Sequence, residues 1–162
     1  MAGPALLPSA EQVATAWISS IAGMNAGVAT QLPDDATKWA ANGFVTVSIV
    51  GGTPNQYIPI RQPILQIDAW AVHIGSAKPP WWKASTLLEQ VRMACYDLRP
   101  SGTLMRPLQI VSRGVTYPPV RVMSAWILQE PRRSYTDAGD YARYVAELQM
   151  HWVTLSALGV NG

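Results

Sequence analysis

Residues 61–72, RQPILQIDAWAV, alternate between two faces. Leu65, Ile67, Ala69 and Ala71 share one side, and Ile64, Gln66, Asp68, Trp70 and Val72 share the other. A strict period of two predicts a strand over 64–73 with one apolar face and one mixed face. A break, HIGSAKPP, follows, and from Trp81 the period changes. Ala84, Leu87, Leu88, Val91, Ala94, Cys95 and Leu98 form a helical stripe, with Lys83, Thr86, Glu89, Gln90 and Arg92 away from it. Pro79 and Pro80 suit the entry to that helix, because proline lacks the amide hydrogen that the first turn leaves unbonded. A strand feeding an amphipathic helix is the packing unit of a small α+β domain.

The same patterning extends along the chain. Ser9-Ala10-Glu11-Gln12 matches a capping box. Val13, Ala14, Trp17, Ile18 and Ile21 then recur at helical spacing, and Gly23 suits the exit, which predicts a helix over 10–22. Residues 28–32 read as a short extended piece and residues 34–41 as a helical turn after Pro33. Residues 44–50 are β-branched and predict a strand, followed by the turn Gly51-Gly52-Thr53-Pro54-Asn55. Residues 108–112 and 119–129 read as further strands, the second with Val120, Val122, Ser124, Trp126 and Leu128 on one face. Residues 130–140, EPRRSYTDAGD, are polar and predict a flexible connecting loop. Residues 141–155 predict a long last strand, with Tyr144, Ala146, Leu148, Met150 and Trp152 alternating against Arg143, Val145, Glu147, Gln149 and His151. The expected fold is α+β, with a mostly antiparallel or mixed sheet of four to five strands and two main helices packed on one face. No repeat, low-complexity tract or linker divides residues 1–162, so a single domain is expected, with residues 1–8 as a flexible N-terminus.

Composition sharpens this picture in one respect. The chain of 162 residues has 14% charged residues, against an average of roughly 25%, and contains seven Trp. A large dry core accounts for this, and so does surface covered by partner subunits, where aromatic residues are enriched and most charged ones depleted. A net charge of +2 without a basic stripe argues against a duplex nucleic-acid reader. Cys95 is the single cysteine, so no intramolecular disulfide forms. The N-terminus lacks the basic and apolar regions of a signal peptide, and no apolar run reaches membrane-spanning length.

The sequence offers little chemistry. No G-x-S-x-G, phosphate-loop, G-x-G-x-x-G or H-E-x-x-H motif occurs. His73 and His151 with Asp68 or Glu147 would supply a catalytic zinc site only if neighbouring strands brought them together. Cys95 lies on the apolar helix stripe, where a thiol acts as a small hydrophobe. The pairs Asp34/Asp35 and Asp137/Asp140 read as capping or loop charge. Catalytic, metal-binding and cofactor-binding residues are therefore all expected to be none. Interface candidates are Trp82, Trp70, Arg132, Arg133 and Tyr135. Adjacent Trp81 and Trp82 differ by about 100° around a helix, so one core does not receive both. Repeated around a ring, the Arg132/Arg133 pair would form a positive belt.

Five segments carry a family resemblance: AWISSIAGMNAGVATQLP, FVTVSIVGG, RQPILQIDAWAV, KPPWWKASTLLEQVR and YARYVAELQMHWVT. Spread over residues 10–155, they resemble the tail terminator proteins of long, non-contractile-tailed bacteriophages, especially phages of actinobacteria. The resemblance implies a non-enzymatic virion protein of the neck, assembled in the host cytoplasm. It implies a homo-oligomeric ring, a hexamer, on the head-proximal end of the tail tube. The ring would end tube polymerisation and present a surface for head joining. The implied partners are the major tail tube protein, the head-completion or stopper protein, and DNA crossing the lumen without base-specific contacts; no membrane is involved. The competing readings are another neck component, such as a head-closure or connector protein, and a small ligand-binding or metal-dependent enzyme.

Overall fold

The computed structural model describes residues 6–134 and 140–155. Helix α1, Ala10–Ser19, begins at the expected capping box: Gln12 N–H donates to Ser9 Oγ (3.1 Å), and Ser9 N–H donates to Gln12 Oε1 (2.8 Å). Strand β1, Gly27–Ala29, precedes a 3₁₀ turn, Ala36–Lys38, capped by Asp35. Strands β2, Phe44–Gly51, β3, Ile60–Arg61, and β4, Ile64–Val72, lead into helix α2, Trp81–Ala94. Short pieces follow: β5, Pro107–Leu108, β6, Val111–Ser112, and β7, Val115–Thr116. The chain closes with β8, Val120–Ile127, β9, Arg132–Arg133, and β10, Tyr141–Thr154.

The α+β class is as expected, but among the described residues the main sheet has eight strands rather than four to five. Its path is β1-β2-β4-β10-β8-β5, with β3 and β9 also paired to β10, and β6-β7 form a separate hairpin. Alternation marks β4, β8 and β10 and β-branched content marks β2, while β1 overlaps the extended piece read at 28–32 and β5 and β6 overlap the strand read at 108–112; β3, β7 and β9, two residues each, are too short to show a period. β1 runs parallel to β2, and the other pairings are antiparallel, so the sheet is mixed.

Both helices cover one face. α1 lies on β1 and β2, and α2 on β4 and β10. Val13, Trp17, Ile18, Leu87, Leu88 and Val91 meet Val45, Val47, Leu65, Ile67, Leu148 and Met150 in one core. The apolar β4 face predicted from alternation is fully buried. Gly43 makes the turn into β2 with φ 78°, and a Cβ there would lie 2.9 Å from Trp70 O, so glycine is needed both for the left-handed backbone and for the close approach.

Three local expectations change. Leu98 is exposed, because the helix ends at Ala94 and helical spacing no longer governs the residues beyond it. In β8 the pairing slips between His151 and Trp152, so Trp152 faces Val122 and His151 faces Ser124, leaving Met123 extra. That bulge reverses the faces: Val120 and Val122 are buried, Ala125 then takes the core position, and Trp126 turns outward. Within the segment expected as a connecting loop, Arg132 and Arg133 pair with Val145 and Tyr144 as β9. Among the described residues, no helix is long and apolar enough to cross a membrane.

Candidate interaction surfaces

The sheet face opposite the helices is polar and ordered. Cross-strand register aligns Thr46 with Asp68 and Val145, and Ser48 with Gln66 and Glu147. Arg143 Nη2 donates to Asp68 Oδ2 (3.0 Å), and Gln66 Nε2 donates to Asp68 Oδ1 (3.1 Å). The Arg143 guanidinium also lies 4.9 Å from the Trp70 ring centre, and Trp70 Nε1 donates to Thr46 Oγ1 (3.0 Å). Trp70 is thus half-buried and engaged within its own chain. One end of this face is capped by Trp39, which stacks edge-on against Phe44 (6.4 Å) and Tyr141 (5.5 Å).

Arg132 forms a two-pronged ion pair with Glu147, at 2.9 and 3.1 Å. Those hydrogen bonds and the guanidinium charge hold the Glu147 carboxyl below its ordinary range, against a smaller opposing effect of burial. Arg133 instead lies over the Trp81 ring at 4.8 Å and donates from Nε to the Tyr144 hydroxyl (3.3 Å). Arg132 is thus matched by a carboxylate of its own chain. Tyr135 lies outside the described residues.

Trp81 and Trp82 diverge as helical geometry requires. Trp81 is half-buried and edge-on to Tyr144 at 6.1 Å. Trp82 is 73% exposed. Beside it a shallow cleft of about 460 Å³ is lined by Ala40, Val72, His73, Ile74, Pro80 and Lys83. Lys83 Nζ donates to Ala40 O (2.8 Å) and to Ala41 O, tying α2 to the residues before β2. Of the four interface candidates among the described residues, Trp82 is the one whose side chain stands in solvent with no ring contact or side-chain hydrogen bond of its own.

Sequence reasoning missed three further exposed apolar groups. Residues 48–59 are exposed throughout, and they include Ile49, Val50, Tyr57 and Ile58. A second group comprises Trp126 on β8 and Leu128 just after it, Met105 beside that strand, and Val111 and Val115 on the β6-β7 hairpin. At the C-terminal ends of α1 and α2, Met93, Tyr96 and Leu98 border a groove of about 680 Å³, where Arg106 donates to Ser20 O (2.6 Å). Turn composition and short strands hid the first two groups. The third was masked by extending the helical stripe too far.

The histidines do not meet. His73 follows Val72, which pairs with Tyr141, whereas His151 lies ten residues further along β10, on the order of 30 Å away at strand spacing. His151 is edge-on to Trp126 at 4.9 Å. Among the described residues, no three His, Cys, Asp or Glu side chains gather to hold a metal. Cys95 is buried, its thiol pushed up to about 12 by loss of solvent.

No family model matches the chain, and no curated protein matches it. Among solved structures, a chain described as "Virion of native gene transfer agent (GTA) particle" is similar with a TM-score of 0.46 and 14% identity, over 90% of this chain and 86% of that one.

Proposed function

We propose that this chain is a structural virion protein, the tail terminator of a long-tailed phage, acting by joining neighbours and not by transforming a substrate. The carrying observation is the placement of exposed apolar side chains on the outer long strands at opposite sides of one sheet: Ile49 and Val50 on β2, and Trp126 on β8 with Met105 hydrogen-bonded to that strand. Large apolar groups left in water mark contact surfaces. Two different surfaces on opposite sides are what a head-to-tail ring requires, since each copy binds one neighbour with each. The sequence resemblance supplies the setting: a hexameric ring on the tube, with the tube protein on one side and the head-completion protein on the other. Trp82 is the proposed anchor for a partner, while Trp70 and Arg132 keep the polar sheet face in shape and Arg133 braces Trp81 and Tyr144 on the helix-covered side. Light scattering of the purified chain, and electron microscopy of it mixed with purified tail tubes, test the proposal. Rings or single-ended caps are expected. A strict monomer that ignores tube ends overturns it.

A further inference from the structure

The main sheet has two edges that are only partly paired. On β2, β1 covers Phe44, Val45 and Thr46, leaving residues 47–51 paired on the β4 side alone. On β8, β5 covers Val120 and Arg121, and Met105 N–H donates to Val122 O (2.8 Å). Residues 124–127 are paired on the β10 side alone. Among the described residues, no other segment pairs with either stretch. Such edges present backbone donors and acceptors that another strand can take up. Natural edges are blunted by charge or proline. Residues 47–51 read VSIVG and residues 124–127 read SAWI, with neither.

The two edges also match in direction and in face. β2, β4, β10 and β8 are successively antiparallel, so β2 and β8 run in opposite senses. Copies related by rotation about a ring axis along the strands therefore set β2 of one beside β8 of the next as an antiparallel pair. A register with Ser48 opposite Trp126 puts Val47 opposite Ile127 and Ile49 opposite Ala125. Val47, Ala125 and Ile127 belong to the helix-covered side, whereas Ser48 and Trp126 belong to the polar side. Each face thus continues from copy to copy.

We propose that residues 47–51 of one copy pair antiparallel with residues 124–127 of a second copy, joining the two sheets edge to edge. Closure into a ring rests on the function proposed above; the contact itself needs only two copies. Cysteine cross-linking tests it cleanly, because native Cys95 is buried and its thiol stays protonated. Full-length chains carrying Ser48→Cys with Trp126→Cys, or Ser48→Cys with Ser124→Cys to allow a shift of one pleat, are oxidised and run without reductant. The expected result is a ladder of cross-linked oligomers from a double variant. Ser48→Cys alone is expected to give none, and so is Ser48→Cys with Thr86→Cys on the exposed side of α2. Cross-linking of Ser48→Cys to itself would show a two-fold contact and overturn the inference. So would double variants that fold by circular dichroism yet give no ladder. Light scattering separates the two failures: oligomers without a ladder leave the ring and remove this contact, whereas monomers with and without tail tubes remove both.

Discussion

Truncating Leu88 and truncating Trp82 should have opposite consequences, although both residues lie on α2. Leu88 is fully buried in the main core. The strands beneath α2 present Ala69, Ala71, Ala142 and Ala146 toward that core. Such short side chains cannot swing into the space a removed isobutyl group leaves, so the site collapses poorly. Leu88→Ala is therefore expected in the upper half of the usual cost of about 2–5 kcal/mol. For a chain of this length each kcal/mol lowers Tm by roughly 2–4 °C. Trp82, 73% exposed, should change folding stability by only about 0.5 kcal/mol when cut to alanine. As an interface anchor, it should weaken association by about 2 kcal/mol or more, roughly 30-fold in Kd. Thermal melts at low concentration read the first effect, and concentration-dependent light scattering reads the second. If Trp82→Ala lowers Tm as much as Leu88→Ala, Trp82 belongs to the core. If it melts like wild type and associates like wild type, the anchor assignment is wrong.

Two smaller perturbations probe the sheet and the helix end. The Glu147 carboxyl is held below its ordinary range by Arg132, so its contribution is present above that range and is lost as pH falls through the lowered value. Arg132→Gln should cost at most about 1 kcal/mol near neutrality, because the pair is partly exposed. Urea unfolding should find that difference shrinking below about pH 4, and a difference that grows in acid would contradict the pairing. Cys95 should resist a thiol reagent at pH 8 in the native chain and react on unfolding, since burial pushes its thiol up to about 12; fast native labelling would place it at the surface.

The parts of the fold that were legible in the sequence are those whose signal is local. The capping box at Ser9 and Gln12, the alternation from Leu65 to Ala71 and the stripe from Ala84 to Ala94 each depend on residues a few positions apart, and each appears as read. Where the structure departs, the determinant is a partner distant in the chain. β9 exists because β10 offers Val145 and Tyr144 to Arg132 and Arg133, and nothing in EPRRSYTDAGD itself signals a strand. Trp126 faces outward because one extra residue at Met123 inverts the pleat, and alternation alone gives no warning of a bulge. For the candidate surfaces the same division holds. Trp82 was visible as one of two adjacent tryptophans on a helix, but Arg132 looked like free charge until Glu147 was placed across from it.

The bare edges follow from the same non-local logic. β10 is the sheet's spine: its fourteen residues pair with β4 on one side and β8 on the other, and β3 and β9 extend those pairings at its ends. A spine this long needs long neighbours, and β2 and β8 meet that need. The strands outside them, β1 and β5, are only three and two residues long and cover only part of each. A solitary protein would normally protect the remainder with charge or proline, because an unprotected edge invites uncontrolled pairing. Residues 47–51 and 124–127 carry no such protection, and they run in opposite senses on the two sides of one sheet. Bulges at Val50 and Met123 limit each free stretch to a few residues, which favours one defined contact over open-ended stacking. An edge that is short, uncharged and matched by its opposite number is suited to pairing with another copy of the same chain.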